Sequence, residues 1–395
     1  MSRGFVTQRH MTHIQTASMP YWRLSGFYFF YFAVLGALVP YWGLYLQSLS
    51  FGPADIGNLM ALLMVSRVVA PNVWAWIADH RESRMRVVRI AAFLTVVAFC
   101  GVFFGTSFWW LAAVMLVFSF FWNASLPLLE VFVMNQTANR PGAYAHVRLW
   151  GSIGFIVSVV ALGPIVDWQG PWWVVPMIVA LMLGMWALSL SLPESGTQGH
   201  VAHPEPLWRV VTRPEVLAFL VACLLMQVSH GPYYTFFTIY LESYSYSKTL
   251  IGVLWAFAVV CEIGVFLMMT RVLQRYAVRT VLLASFAAAA VRWLLIAFFP
   301  QTTWVIVLAQ ALHAATFGSF HAAGIQMVYR FFTGRHQHRG QAIYSTASFG
   351  VGGALGSFYS GQTWIPLGPA ATYVLAAGAA FAAFAVAFFY LKSKS

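Results

Sequence analysis

The segment DIGNLMALLMVSRVV, residues 55–69, decides the fold because it has a counterpart later in the chain. A shift of 195 residues lays it on LIGVLWAFAVVCEIG, residues 250–264, and superimposes the isoleucine–glycine pairs at 56–57 and 251–252. Internal repeats of this kind indicate two structurally related halves. The predicted units are a first half over residues 1–191, a polar linker over 192–213 and a second half over 214–395.

Composition places both halves in a membrane. The 395 residues are 61% hydrophobic and only 8% charged, with a mean hydropathy of +0.74, whereas soluble domains are about 25% charged. Apolar runs long enough to cross a bilayer as helices recur along the chain, without the short alternating segments of a membrane β-barrel. We predict an all-α membrane protein with two six-helix halves related by a pseudo-two-fold axis. Its twelve spans are 22–46, 55–78, 87–105, 107–135, 146–167, 171–191, 214–241, 248–270, 279–299, 302–329, 340–361 and 366–390.

The charge distribution predicts the orientation. All but three of the 22 lysines and arginines fall in the even-numbered loops and the termini, and Lys248 alone falls in an odd-numbered loop. The positive-inside rule then places both termini in the cytoplasm of a bacterial-type inner membrane. The net charge of +12 therefore reflects topology, and we expect no nucleic-acid partner. The three cysteines lie singly in apolar runs and show no disulfide or metal spacing.

Two ionisable residues lie at equivalent depth in the two halves. The repeat places Arg67 on Glu262, so each half carries one charge of opposite sign. Ionisable groups at membrane depth face the bundle interior and find partners, because lipid cannot solvate them. Arg67 is therefore expected to meet a carboxylate or a group of carbonyls. Either residue could be a structural ion-pair member or part of the transport site.

Three further charges lie within or at the ends of spans: Glu130 on span 4, Arg148 at the start of span 5 and Arg292 on span 9. With Arg67 and Glu262, the five groups comprise three arginines and two glutamates. An uncompensated charge in a bundle is unfavourable, so the surplus cation favours an anionic group on the substrate.

Histidine supplies the other titratable groups in the spans. His230 lies in span 7, and His313 and His321 lie eight residues apart in span 10. Histidine changes charge near neutral pH, which suits a proton relay, although each could equally be a packed structural residue. The sequence has no pair of ligands at i and i+4 on one helix, so we predict no metal site and no cofactor.

Aromatic and glycine residues have two interpretations each. Most deep aromatic side chains are expected to pack between helices, and the remainder to line a cavity for a ring-bearing ligand. The segment GVGGALGS, residues 350–357, allows close helix packing through Gly352 and Gly356, within one chain or between two chains. We predict packing within one chain, and hence a monomer.

The loop between spans 2 and 3 resembles a known motif. WIADHRESRMR, residues 76–86, is similar to the corresponding loop of the major facilitator superfamily, with Asp79 and Arg84 in place. It departs from the family pattern at Ala75 and Glu82, where the family has glycine. The resemblance implies that this loop takes part in gating.

The pair Glu130 and Arg148, followed by RLWGSIGF, resembles the lactose permease branch of that superfamily. The resemblance implies that both residues bind substrate and that Phe155, seven residues after the arginine, stacks on it. It also assigns Glu262, Arg292 and a span-10 histidine to proton coupling. Span 10 here has no carboxylate, unlike the lactose permease, so the carrier of the proton is left open among Glu262, Glu130 and a histidine.

The chain is also similar to the 3-phenylpropionate transporter-like proteins over about residues 20–390. His230, Tyr233 and Tyr234 match an HxxYY pattern, and CEIGVF at 261–266 matches a span-8 pattern. The resemblance adds Tyr233 and Tyr234 to the expected substrate site.

These observations favour a secondary transporter. The spans show no nucleophile–base pair typical of an enzyme and no repeated filter segments typical of a channel, and the chain has no nucleotide-binding loop. We predict proton-driven uptake of a hydrophobic carboxylate such as 3-phenylpropionate, with nucleosides or oligosaccharides as the alternative substrates. A non-transporting receptor is the alternative of another class. The expected partners are a small solute, protons and the lipid bilayer.

Overall fold

Twelve long helical segments make up the part of the chain that the structure describes. The computed structural model describes residues 19–392, apart from 81–82, 138–139, 141, 195–206 and 335. The segments are α1 Tyr21–Ser48, α2 Pro53–Asp79, α3 Arg84–Phe104, α4 Phe108–Thr137, α5 Ala143–Gln169, α6 Pro171–Leu190, α7 Pro214–Ser243, α8 Lys248–Arg275, α9 Val278–Phe298, α10 Thr303–Phe331, α11 336–364 and α12 Pro369–Tyr390.

The predicted all-α membrane architecture is confirmed. Within the described part of the chain, 11 helices are long and apolar enough to cross a membrane. The remaining predicted span, 340–361, lies inside α11, which is assembled from His336–Ser345, a π-helical segment Thr346–Gly352, and Gly353–Trp364. A second π-helical segment, Ala314–Ser319, interrupts α10. Neither segment was predicted, and such segments are frequent at functional sites.

The same helix pairs pack in the first six and the last six helices. In the first set α1 packs on α5 and α6, and α2 packs on α4; in the second, α7 packs on α11 and α12, and α8 packs on α10. The halves meet along α2 and α11, α5 and α8, and α1 and α7. We call the end where α1 connects to α2 the loop-1 end, and the end where α2 connects to α3 the loop-2 end.

Glycines set how closely the helices approach. A Cβ atom on Gly57 of α2 would lie 2.7 Å from the Cα atom of Gly361 on α11, which no side chain could accommodate. Gly352 and Gly356 on α11 lie against α7, where added Cβ atoms would come within 2.7 Å of the Leu224 carbonyl oxygen and 2.9 Å of the Val228 carbonyl oxygen. These two glycines therefore serve packing within the chain, as predicted.

A carboxylate bonds the two halves together at the loop-1 end. Asp167, at the end of α5, accepts hydrogen bonds from the backbone N–H groups of Lys248 and Thr249, both at 2.8 Å, and from the Thr249 hydroxyl at 2.6 Å. A carboxylate at a helix N-terminus satisfies free N–H groups and the helix dipole together. The Tyr41 hydroxyl lies nearby and contacts the carbonyl oxygens of Val159 at 2.8 Å and Lys248 at 3.3 Å. The described structure is closed at this end.

Asp167→Asn should make the loop-1 end open more readily, because the amide lacks the charge and offers one good acceptor for three donors. The measurement is the labelling rate of Ile56→Cys, a buried position on α2 at this end, by a membrane-impermeant maleimide after removal of the native cysteines. We expect labelling several-fold faster.

Glu242→Gln is the matched control. It removes an acidic group at the same end, but the partner of Glu242 is Lys248, at 2.7 Å in the same half. Equal labelling rates in Asp167→Asn and Glu242→Gln would show that the Asp167 bonds do not hold the halves together.

Candidate functional site

Arg292 on α9 is fully buried and every part of its guanidinium is occupied. Its Nε donates to the Ala309 carbonyl oxygen at 2.8 Å, and one terminal nitrogen donates to the Gln310 side-chain oxygen at 3.0 Å. The other lies 3.0 Å from His313 Nδ1 and 3.2 Å from the Thr316 hydroxyl. The protein thus solvates this cation with polar groups of α10, without a carboxylate in direct contact.

The polar partners of Arg292 come from one face of α10. Gln310, His313 and Thr316 follow one another at three-residue spacing, so they lie on neighbouring turns of the helix. The Gln310 amide nitrogen also donates to the Tyr233 hydroxyl at 3.1 Å, and the Tyr233 ring lies 4.1 Å below the Arg292 guanidinium. Gln310 and Thr316 are absent from the residues predicted for the site, although their spacing from His313 could have revealed them.

His313 connects Arg292 to Glu262. Arginine has only donors, so Nδ1 of His313 must accept the bond from Arg292, and the ring proton then lies on Nε2. That Nε2 atom lies 3.6 Å from a carboxylate oxygen of Glu262 on α8. Gly318, in the π-helical segment of α10, leaves room for Glu262, since a Cβ atom there would be 3.3 Å from its Cγ. Arg292, His313 and Glu262 form one polar chain across three helices.

The other two histidines differ from His313. His230 is fully buried; its Nδ1 lies 2.8 Å from the Met226 carbonyl oxygen, and its Nε2 has no hydrogen-bond partner in the described structure. The His321 ring lies parallel to Phe317, with ring centres 6.1 Å apart. Of the three histidines predicted for proton coupling, the structure brings only His313 to a carboxylate.

Arg148 lies between the predicted substrate residues of the two halves. Its guanidinium stacks on the Phe32 ring at 4.0 Å. It is close enough to interact electrostatically with both Glu130 and Glu262, although the described residues show no direct ion pair between Arg148 and either glutamate. Arg67, Glu130, Arg148 and Glu262 all keep partial exposure. We call the space between the halves that these four residues border the central cleft.

The aromatic residues predicted for the substrate site are placed differently from one another. Phe155 packs beside Trp255 of α8, with ring centres 6.5 Å apart, where α5 meets the second half. Tyr233 is fully buried in the Arg292 network, so in this conformation it supports that network. Tyr234 stacks on His230 at 5.6 Å and keeps some exposure.

The predicted gating loop is only partly described. Asp79 ends α2 and Arg84 begins α3, while residues 81–82 and the side chain of Asp79 lie outside the described residues.

The expectation that Arg67 would find a carboxylate or carbonyl partner is wrong for this structure. No hydrogen bond or ion pair of Arg67 occurs in the part of the chain that the structure describes. The reason is its position: the nearest helix of the other half, α11, presents Gly350 and the backbone of its π-helical segment to this turn of α2. The two glutamates lie on α4 and α8, near Arg148.

Comparison with known proteins agrees with this architecture. Residues 21–375 match the model of the MFS_1 like family. The chain is 28% identical over 353 residues to the probable 3-phenylpropionic acid transporter of Escherichia coli (strain K12), covering 88% of this chain and 92% of that protein. It is 27% identical over 335 residues to the maltose permease of Geobacillus stearothermophilus, covering 82% and 83%.

The fold also matches a solved transporter structure. The crystal structure of the nucleoside transporter NupG superimposes with a TM-score of 0.81 at 19% sequence identity, covering 95% of this chain and all of that one (100%). These proteins are transporters and not enzymes.

Arg292→Lys should destabilise the protein although it conserves the charge. An ammonium group cannot reach the acceptors that the planar guanidinium serves together, and each buried acceptor left unpaired costs about 1–3 kcal/mol. For a chain of this size we expect the apparent melting temperature in detergent to fall by roughly 5 °C or more. Arg271→Lys, at an exposed position on α8, is the control. Equal melting of the two variants would contradict a stabilising role for the network.

Proposed function

The chain belongs to the MFS_1 like family, and we propose that it is a proton-coupled symporter that takes up a small organic solute. The first candidate substrate is an aromatic carboxylate such as 3-phenylpropionate. The observation that carries the proposal is the chain from Arg292 through His313 to Glu262, which places one carboxylate, one neutral imidazole and one fixed cation in contact at the centre of the bundle.

Glu262 is the proton carrier in this scheme. His313 uses Nδ1 as an acceptor and carries its ring proton on Nε2, 3.6 Å from Glu262, so the unused acceptor lone pairs of the chain lie on the Glu262 carboxylate. Glu262 has no arginine or lysine in direct contact within the described residues and is partly open to the central cleft. It can therefore take up a proton from the cleft, and His313 can hold the carboxylate in place in either state.

The substrate site is proposed in the same cleft. Glu130 and Arg148 bind polar groups of the solute, with Phe155 beside its apolar part and Tyr234 at the edge of the cleft. The four residues that border the cleft balance in charge, and the buried Arg292 makes the five groups three arginines against two glutamates; this surplus cation favours an anion. The relative named as a probable 3-phenylpropionic acid transporter supports an aromatic acid in particular.

The orientation follows from the basic loops. We place the loop-2 end and both termini in the cytoplasm of a bacterial inner membrane. The bonds at Asp167 close the loop-1 end, so in this scheme the central cleft opens toward the cytoplasm through the loop-2 end. In this scheme a substrate loaded from outside is released on that side.

A second candidate substrate is a nucleoside or an oligosaccharide. The Glu130 and Arg148 pair favours it, because a carboxylate and a guanidinium together can bind neighbouring hydroxyl groups. The relation to a maltose permease also supports this candidate.

The test is uptake by purified protein in liposomes. Labelled 3-phenylpropionate, uridine and maltose are compared with and without an imposed inward proton gradient. We expect the gradient to drive accumulation of the acid above the other two. Accumulation of uridine or maltose instead would select the second candidate, and a gradient without effect on any accumulated solute would refute symport.

Glu262→Gln should separate coupling from binding. The amide imitates the protonated carboxyl group, so the solute can still bind and exchange, but no proton is released with it. We expect gradient-driven accumulation to fall to the level without a gradient, while exchange of internal for external solute continues. The control is Glu215→Gln, in the first turn of α7. Gradient-driven accumulation that persists in Glu262→Gln would assign the proton to another group.

A further inference from the structure

Arg67 points into the bundle because the neighbouring positions of α2 are fixed on two sides. Ser66 accepts a hydrogen bond of 2.7 Å from Asn123 of α4, and Val68 packs against Gly350 of α11, where a Cβ atom would lie 2.9 Å from the Val68 side chain. Val65 and Val69, two residues to either side of Arg67, are 42% and 52% exposed on the opposite face. Since residues two apart on a helix lie on nearly opposite sides, Arg67 faces the space between the halves.

Arg67 is the cation at this depth with the fewest partners. Arg292 is surrounded by four polar groups of α10, and Arg148 stacks on Phe32 and interacts electrostatically with Glu130 and Glu262. Within the described residues Arg67 has no hydrogen bond and no ion pair. A guanidinium held at this depth without a counter-charge is unfavourable, and an anion that reached it would recover that free energy.

Two tyrosines, one from each half, lie within electrostatic range of the guanidinium. They are Tyr31 of α1 and Tyr234 of α7, and neither hydroxyl has a hydrogen-bond partner among the described residues. Tyr31 is stacked on Trp122 of α4, with ring centres 5.1 Å apart. Five guanidinium donors and two phenol hydroxyls are therefore available on this side of the cleft, beside the Tyr31 and Trp122 rings. These groups suit the carboxylate of a ring-bearing acid.

We infer that Arg67, Tyr31 and Tyr234 form an anion subsite that binds the carboxylate of the transported acid. The inference rests on the proposed function and adds to it the residue that distinguishes acids from neutral solutes. Because Tyr31 and Tyr234 belong to different halves, a carboxylate bound here also bridges them. Glu130 and Arg148 are then left for other polar groups of the solute or for charge balance.

The experiment compares an acid with its neutral counterpart. Binding of 3-phenylpropionate and of its amide, 3-phenylpropanamide, is measured by calorimetry on the protein in lipid nanodiscs. We expect the wild type to prefer the acid. Arg67→Gln should weaken binding of the acid about 10- to 100-fold, as for loss of a charge-assisted hydrogen-bonded pair, and leave binding of the amide within about twofold. Arg271→Gln, which removes an exposed arginine from α8, should change neither affinity.

Three results would overturn the inference: equal weakening of acid and amide by Arg67→Gln, unchanged binding of the acid, or a wild type without preference for the acid. Arg67→Lys covers the case in which Arg67→Gln does not fold. An ammonium retains the charge and loses the planar fork, so we expect a smaller loss that is still confined to the acid. Equal losses for acid and amide in Arg67→Lys would again reject the subsite.

Uptake measured in parallel separates this inference from the proposed function. If the wild type accumulates uridine or maltose under a proton gradient and does not bind the acid, the symporter stands and the anion subsite is wrong. If the acid binds with the expected dependence on Arg67 and no solute accumulates under the gradient, the subsite stands and proton-coupled uptake is wrong.

Discussion

The structure depends on how the protein solvates permanent cations at a depth where lipid cannot. The protein solvates Arg292 completely. A carbonyl, an amide, an imidazole and a hydroxyl of α10 accept its hydrogen bonds, and Tyr233 covers one face of its guanidinium. This arrangement fixes α9, α10 and α7 relative to one another. It also fixes the tautomer of His313 and therefore the group that faces Glu262. A residue buried for stability thus defines the chemistry of its neighbour.

The contacts between the halves change in kind along the helices. At the loop-1 end they are backbone contacts at glycines and the hydrogen bonds of Asp167, which are short-range and are lost with a small separation. Deeper in the bundle, packing contacts such as Val68 on Gly350 and Phe155 on Trp255 are joined by a longer-range electrostatic interaction between Arg148 and Glu262. Electrostatic interactions in a medium of low dielectric fall off slowly with distance. The halves can therefore separate at the loop-1 end while the charges of the central cleft still interact.

The sequence predicts the class, the spans and the depth of the charged residues, because hydropathy and the positions of basic residues depend on the bilayer alone. It also places Glu262 and Arg292 near a span-10 histidine through a family resemblance. It does not predict that Arg67 has no hydrogen bond or ion pair among the described residues, because this depends on which residues of α11 approach α2. There the structure has Gly350 and a π-helical segment, which hydropathy does not reveal. The Asp167 contacts are missed for the same reason. They join Asp167 to Lys248 and Thr249, at sequence separations of 81 and 82.

The two π-helical segments each present a glycine to one of the two equivalent positions of the repeat. One presents Gly350 to the turn of α2 that carries Arg67, and the other presents Gly318 to Glu262, the equivalent residue of α8. Counting the five ionisable groups of the cleft and its network, three arginines and two glutamates give a formal charge of +1 when the cleft is empty. A bound carboxylate lowers it to zero, and a proton on Glu262 restores it. In the proposed scheme the empty and fully loaded clefts therefore have equal charge, and either ligand alone changes it. The halves must close over the cleft both when it is empty and when it holds the acid and the proton. Equal charge in these two states therefore favours coupled transport of one acid with one proton.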